Sequence, residues 1–234
     1  MNRQPKIIWD KGSAYDLFVS LWIVHRPDEF GLRPSWAAGV RSRLPIPLRD
    51  VLEHSQKFIR VPLAWIHALP EPKDAAAALS ALNALPPEDR LPALVFASKQ
   101  DQRSRENLQF MLSLEGKQRL TANIEARIKE QYRSSRQPTK EVLRAIFDAW
   151  SDRKDFGEKL YKALEAYVKN FFQEEETRII PAQMKALKEA QTLAGEKDVL
   201  TVLEELSAGV RMDWISDVSS LVLAPSFWGA PFVF

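Results

Sequence analysis

A mainly α fold, an orthogonal multi-helix bundle with a minor β element formed by the N- and C-terminal segments, is predicted by three features of the 234-residue sequence. Glycine is scarce, at 8 residues, which argues against a sheet-rich fold with many tight turns. Fifteen prolines punctuate the chain instead, and the stretches between them run roughly 8–20 residues, the usual length of globular helices. Within those stretches apolar residues recur at three- and four-residue steps, the period of a helix with one buried face.

Element by element, the pattern reads as follows. Lys6–Trp9 (KIIW) is short and β-branched, a brief strand or an extended lead-in. Ser13 predicts a helix N-cap with Asp16 in capping-box position. Leu17, Phe18, Leu21 and Trp22 share one face of that helix, which ends near His25 before Pro27. Pro34 suits the first turn of a second helix, lined by Trp36, Ala37, Val40 and Leu44 and stopped at Pro45. Pro47 opens a third, with Leu48, Val51, Leu52, Ser55, Phe58 and Ile59 inward, and 62–69 is a short helix or strand.

Asp74 caps an alanine-rich helix over 75–85 whose small side chains allow close packing; Pro86 and Pro87 end it, and the next helix runs to about Ala97. Helices are predicted over 102–114 and 117–134, then over 140–150 behind a Thr139 cap. A long amphipathic helix over 156–177 carries an apolar stripe from Leu160 to Phe172. Pro181 starts a helix over 182–194, ended by Gly195, and Asp198 caps one over 199–207, with Gly209 near its C′ position. After Gly209 helical periodicity is lost. Two short strands, at 219–223 and 231–234, are expected to pair as a hairpin or with Lys6–Trp9. The apolar Phe-Val-Phe ending predicts a chain that continues. The expected organisation is a helical domain over 1–209, with a hinge near 133–138, and a strand segment over 210–234 leading to a further domain.

Composition removes several function classes. No cysteine is present, so disulfides, Cys-ligated zinc, iron–sulfur clusters and thiol catalysis are excluded. His25, His54 and His67 show no metal-ligand spacing, and no metal or cofactor is expected. Phosphate-loop, dinucleotide, zinc-protease and nucleophile-elbow motifs are absent, and no catalytic residue is assigned. The nearest approach to a catalytic group is His25, Asp28 and Glu29, with His67 as a further place to look for an unrecognised hydrolase; a dipole-stabilised histidine and a polar turn explain the first three more simply. His54 reads as a hydrogen-bonded boundary histidine. No apolar run reaches the length of a membrane span, and the first eleven residues lack the apolar stretch of a signal peptide, so a cytoplasmic protein without membrane contact is expected.

Net charge is only +2. The most cationic stretch, residues 99–140, holds ten basic and five interspersed acidic residues and reads as solvated helices laced with ion pairs; Arg133 and Arg136 are its best candidates to meet DNA. Seven tryptophans are the stronger signal. A surplus of aromatic side chains without catalytic polar groups suits a core, an apolar ligand pocket or an interface. Trp22, Trp36, Trp65 and His67 are the candidate ligand pocket; Tyr167, Phe171 and Trp228 are the candidate interface.

The segment from Ala14 to His25 (AYDLFVSLWIVH), continued by RPDEFGLRPSWAAGVRSRLP to Pro45, resembles the N-terminal region of a group of bacterial ArsR-type winged-helix transcriptional regulators. The ending from Leu221 to Phe234 (LVLAPSFWGAPFVF) resembles the strand pair that precedes their DNA-binding module. The resemblance implies a regulatory domain that senses a small apolar effector, forms a homodimer, or both. DNA would be read only through a C-terminal winged helix absent from this chain. Without cysteine, the metal sensing of many such regulators is not expected. A protein-interaction or dimerisation module without any ligand is the alternative.

Overall fold

The computed structural model describes residues 5–96, 101–131, 137–211 and 213–229. The chain is mainly α, with a two-stranded parallel sheet made by its N- and C-terminal segments. Strand β1 (Lys6–Trp9) pairs with β2 (Ser220–Leu223) in the register Lys6 to Ser220 and Trp9 to Leu223. Parallel pairing requires a long crossover, and here the crossover is the whole helical body. The strands at 219–223 and 6–9 are therefore joined, as one of the two predicted pairings has it. The 231–234 strand, Arg133 and Arg136 lie outside the described residues.

Helix α1 (Ser13–Val24) is the centre of the molecule: every residue of it except Trp22 is buried. A helix surrounded on all sides must be apolar or have each polar group partnered. Ser13, Tyr15, Asp16 and Ser20 are its buried polar members, and all four are hydrogen-bonded. The capping box expected at Ser13 does not form. Gly12 is the N-cap, Ser13 is already helical, and Asp16 turns inward to other partners. Gly12 has φ near +150°, and a Cβ there would lie 2.2 Å from the Lys73 carbonyl oxygen, so only glycine fits this approach of two backbones.

A turn of 3₁₀ helix (Pro27–Phe30) leads to α2 (Pro34–Ser42) and α3 (Ile46–Ser55), each with proline in its first turn as predicted. The ambiguous 62–69 stretch contains the short helix α4 (Leu63–His67). Asp74 caps α5 (Ala75–Ala84) through the Ala77 amide at 2.7 Å, and α6 spans Pro87–Phe96. Then come α7 (Gln102–Leu112), α8 (Ala122–Gln131) and α9 (Lys140–Ser151), the last capped by Thr139. His54 has its predicted hydrogen-bonded boundary role: Nε2 lies 2.9 Å from the Ala145 carbonyl oxygen, and its ring forms a triangle with those of Phe58 and Phe156.

The two predicted helices over 156–177 and 182–194 are one. α10 (Arg153–Tyr167) passes through a π-helical turn (Val168–Phe172) into α11 (Gln173–Glu196), a continuous rod over 153–196 of about 65 Å. Pro181 fails to break it because proline removes one amide and leaves the carbonyl of Thr177 unbonded; both residues are exposed, so that carbonyl can meet water. The π turn changes the buried register. Leu160, Leu164 and Tyr167 face inward before it, Phe171 and Phe172 within it, and Ile179, Gln183 and Leu187 after it. α12 (Val199–Leu206) folds back on α11, capped by Asp198. The following segment is a 3₁₀ turn (Asp213–Asp217) before β2. α10 packs most extensively on α6 and α3. The core joins Trp150, Phe147, Tyr167 and Phe172 with Leu17, Leu21, Leu52, Ile66 and Leu82.

Candidate functional site

Three carboxylates gather at the first turns of α1, and each ties that helix to a distant part of the chain. Asp10 follows β1 directly. Its Oδ2 accepts from Tyr15 Oη, His67 Nδ1 and Lys73 Nζ, each at 2.6 Å, and Oδ1 accepts from the Lys11 amide at 2.8 Å. Lys73 Nζ also donates to the His67 carbonyl at 2.6 Å. The buried lysine, the end of α4 and the end of β1 thus share one knot of hydrogen bonds. Burial alone would raise the Asp10 carboxyl, but Lys73 and then Tyr15, His67 and the Lys11 amide outweigh it and hold it down at about 2. Burial, followed by the adjacent Asp10, pushes the Tyr15 phenol well above its ordinary range, so Tyr15 is a neutral donor.

The sign of the Asp10 shift makes a prediction. A carboxyl held below its unfolded value of 3.8 stabilises the fold above that value, and the contribution is lost as pH falls through about 2. The shift corresponds to about 2.5 kcal/mol. Urea unfolding of the wild type at a series of pH values should lose about that much stability between pH ~5 and pH ~1 through this group. Asp10→Asn should be less stable at neutral pH, with Lys73 left buried and unpaired, and should show a shallower acid limb.

Asp16 is fully buried and binds the C-terminal segment. Oδ1 accepts from Ser226 Oγ at 2.6 Å and the Trp228 amide at 2.9 Å; Oδ2 accepts from the Phe227 amide at 2.8 Å and Gln183 Nε2 at 2.7 Å. Burial pushes this carboxyl upward, while the four donors pull it down. Glu176 completes the group. Its Oε1 accepts from Ser13 Oγ and from the Ala75 amide at 3.0 Å, serving the first turns of both α1 and α5.

Aromatic packing reinforces the same junction. Trp228 stacks on Trp36 of α2 with ring centroids 5.4 Å apart, and both rings meet Phe171 in the π turn. Phe171 in turn packs on Tyr167, whose hydroxyl donates to Ser20 Oγ of α1 at 3.1 Å. The three residues singled out as an interface, Tyr167, Phe171 and Trp228, therefore converge inside this chain: Tyr167 and Phe171 are buried, and Trp228 is half-buried against them. The four singled out as a pocket lie in separate surroundings. Trp36 belongs to the cluster just described, Trp65 packs edge-on against Phe18, Trp22 lies under the Arg26 guanidinium at 3.6 Å, and His67 is held by Asp10. His25 sits at the end of α1, while Asp28 and Glu29 are exposed in the 3₁₀ turn, and neither acid bonds to it.

Of the residues that build the junction, the sequence points only to Asp16, and to it as a capping-box acid; Asp10, Tyr15, Lys73, Glu176 and Gln183 carry no such signal. One further signal was available: Asp16 interrupts the apolar run of a helix that has no exposed face. Among the described residues no group of three His, Asp or Glu side chains could hold a metal ion, and no helix is long and apolar enough to cross a membrane. No protein-family model, curated protein or solved structure matches the chain.

Proposed function

We propose that this chain is a non-catalytic regulatory domain of a bacterial ArsR-type transcription regulator, cytoplasmic and dimeric, which reports ligand or partner binding to a DNA-reading winged helix elsewhere in the protein. The observation that carries the reading is the Asp16 clasp. The segment resembling the lead into the DNA-binding module is held by a buried carboxylate of the central helix, with Trp228 stacked on α2. A shift of α1 or α2 therefore reaches that segment through two short contacts, the kind of discrete linkage a two-state device needs.

Dimerisation is supported by apolar side chains left on the surface of α11, α12 and the stretch after them: Ile180, Met184, Leu200, Leu206, Val210 and Trp214 are each 44–56% exposed. The same set favours the second reading, a dimerisation module without a ligand. Native mass spectrometry of the purified chain at low micromolar concentration separates the two. A dimer carrying a co-purified small molecule supports the regulatory reading, and a dimer without one supports the module. A monomer at every concentration, or turnover of a substrate abolished by Asp10→Asn, overturns both.

A further inference from the structure

The end of α1 borders an open pocket of about 500 Å³ whose other walls come from α2, α3 and the residues just after α3. Four cations line it, Arg26, Arg41, Arg49 and Lys57, against two acids, Asp50 and Glu53, both exposed on α3. The guanidinium groups are held in place without being neutralised. Arg26 lies over the Trp22 ring and donates Nη2 to the Gln56 carbonyl at 2.6 Å; Arg41 donates Nη1 to the Val24 carbonyl at 2.8 Å. A carbonyl oxygen satisfies a donor but cancels no charge. Lys57 pairs with Glu141 at 2.6 Å, whereas Arg49, Asp50 and Glu53 form no ion pair among the described residues.

Behind this wall two nitrogens are shut off from bulk water and lack a protein partner: Arg26 Nη1 and His25 Nε2. His25 Nδ1 lies 2.9 Å from the Leu21 carbonyl oxygen, which can only accept, so Nδ1 carries the proton. Burial first, then the proximity of Arg41 and Arg26, disfavours the charged ring, although Glu53 and the Leu21 carbonyl oppose this. The neutral ring leaves a bare Nε2 lone pair beside a cationic wall. An anion in the pocket opposes that balance through its charge: it offsets Arg41 and Arg26 and favours a proton on the ring.

We propose that this pocket binds a small molecule through an oxyanion group, phosphate or carboxylate, with Arg26, Arg41 and Arg49 as its cationic wall and the His25 ring behind them sensing the bound charge. Planar guanidinium groups favour such groups because they can offer two parallel N–H bonds. The site stands on these residues whether or not the domain regulates transcription.

The three histidines of the chain allow a direct test. Imidazole Cε1–H signals are followed by NMR while inorganic phosphate, or in a second arm malonate, is added at constant ionic strength. The expected result is a saturable shift of the His25 signal alone, with its titration midpoint moved to higher pH by the anion, and His54 and His67 unmoved. Response to phosphate only assigns a phosphate-bearing ligand; response to malonate only assigns a carboxylate; response to both assigns a general oxyanion site. Arg49→Gln should weaken binding about tenfold, Lys57→Gln should weaken it less, and Lys185→Gln on α11 should leave it unchanged. Absence of a saturable His25 shift up to tens of millimolar anion, or equal binding by folded Arg49→Gln, overturns the proposal.

Discussion

Asp16→Asn is expected to destabilise the protein by about 3 kcal/mol and to release the C-terminal turn. The substitution keeps the shape of the side chain and removes only its charge and one acceptor. Each oxygen of Asp16 accepts from two donors, so neither orientation of an asparagine amide is tolerated. One flip sets its NH₂ against Ser226 and the Trp228 amide, the other against Gln183 and the Phe227 amide. Both leave buried donors without an acceptor, which costs more than the loss of an average hydrogen bond. Urea unfolding measures the global loss. Amide hydrogen exchange gives the local signature: protection should fall first at Phe227 and Trp228, before the β1–β2 pairing is affected. Ser226→Ala, which removes one donor and leaves the carboxylate served by three, should show the same pattern at about 1 kcal/mol. Unchanged exchange at Phe227 and Trp228 in Asp16→Asn would show that the carboxylate does not hold this turn.

Gly157→Ala is the second large effect, and here two terms of opposite sign compete. Alanine is favoured over glycine in a helix interior by about 1 kcal/mol. At Gly157, however, a Cβ would stand 1.9 Å from the Pro87 carbonyl oxygen and 2.8 Å from the Pro87 carbonyl carbon. Those atoms are backbone at the start of α6 and cannot rotate away, so α10 and α6 must separate. The buried Arg90 shares the contact, donating to the carbonyls of Leu82 at 3.0 Å and Gly157 at 3.2 Å. Separation therefore also stretches a buried guanidinium from its acceptors. A net loss of about 3 kcal/mol or more is expected in urea unfolding. Gly195→Ala is the matched control: Gly195 lies in α11 with nothing near its missing Cβ, and the same change there should stabilise by up to about 1 kcal/mol. Equal effects at the two sites would remove close packing as the reason for glycine at 157.

The contrast between these two glycines marks where local reasoning ends. Gly157 reads as a helix residue of low propensity and Gly195 as a helix stop, and only the position of α6 shows that glycine is required at the first and not at the second. The same holds for Pro181. Its ring predicts a helix start, and that preference is real, but the surrounding rod continues because the orphaned carbonyl faces outward. Asp16 is the clearest case. A serine, two intervening residues and an acid make a sound capping-box pattern, yet the acid is needed elsewhere, by amides more than two hundred residues away in the chain.

What the residues determined alone was the mainly α class, most helix positions, the caps at Asp74, Thr139 and Asp198, and the extended character of both terminal segments. These follow from dihedral preferences, capping chemistry and apolar spacing, all of which act over a few residues. Tertiary structure decided the fusion across Pro181, the parallel pairing of β1 with β2, the meeting of Trp36, Phe171 and Trp228, and the gathering of Asp10, Asp16 and Glu176 around one helix. A buried carboxylate is stable only where several donors converge on it, and donors drawn from such distant segments meet only once the chain has packed.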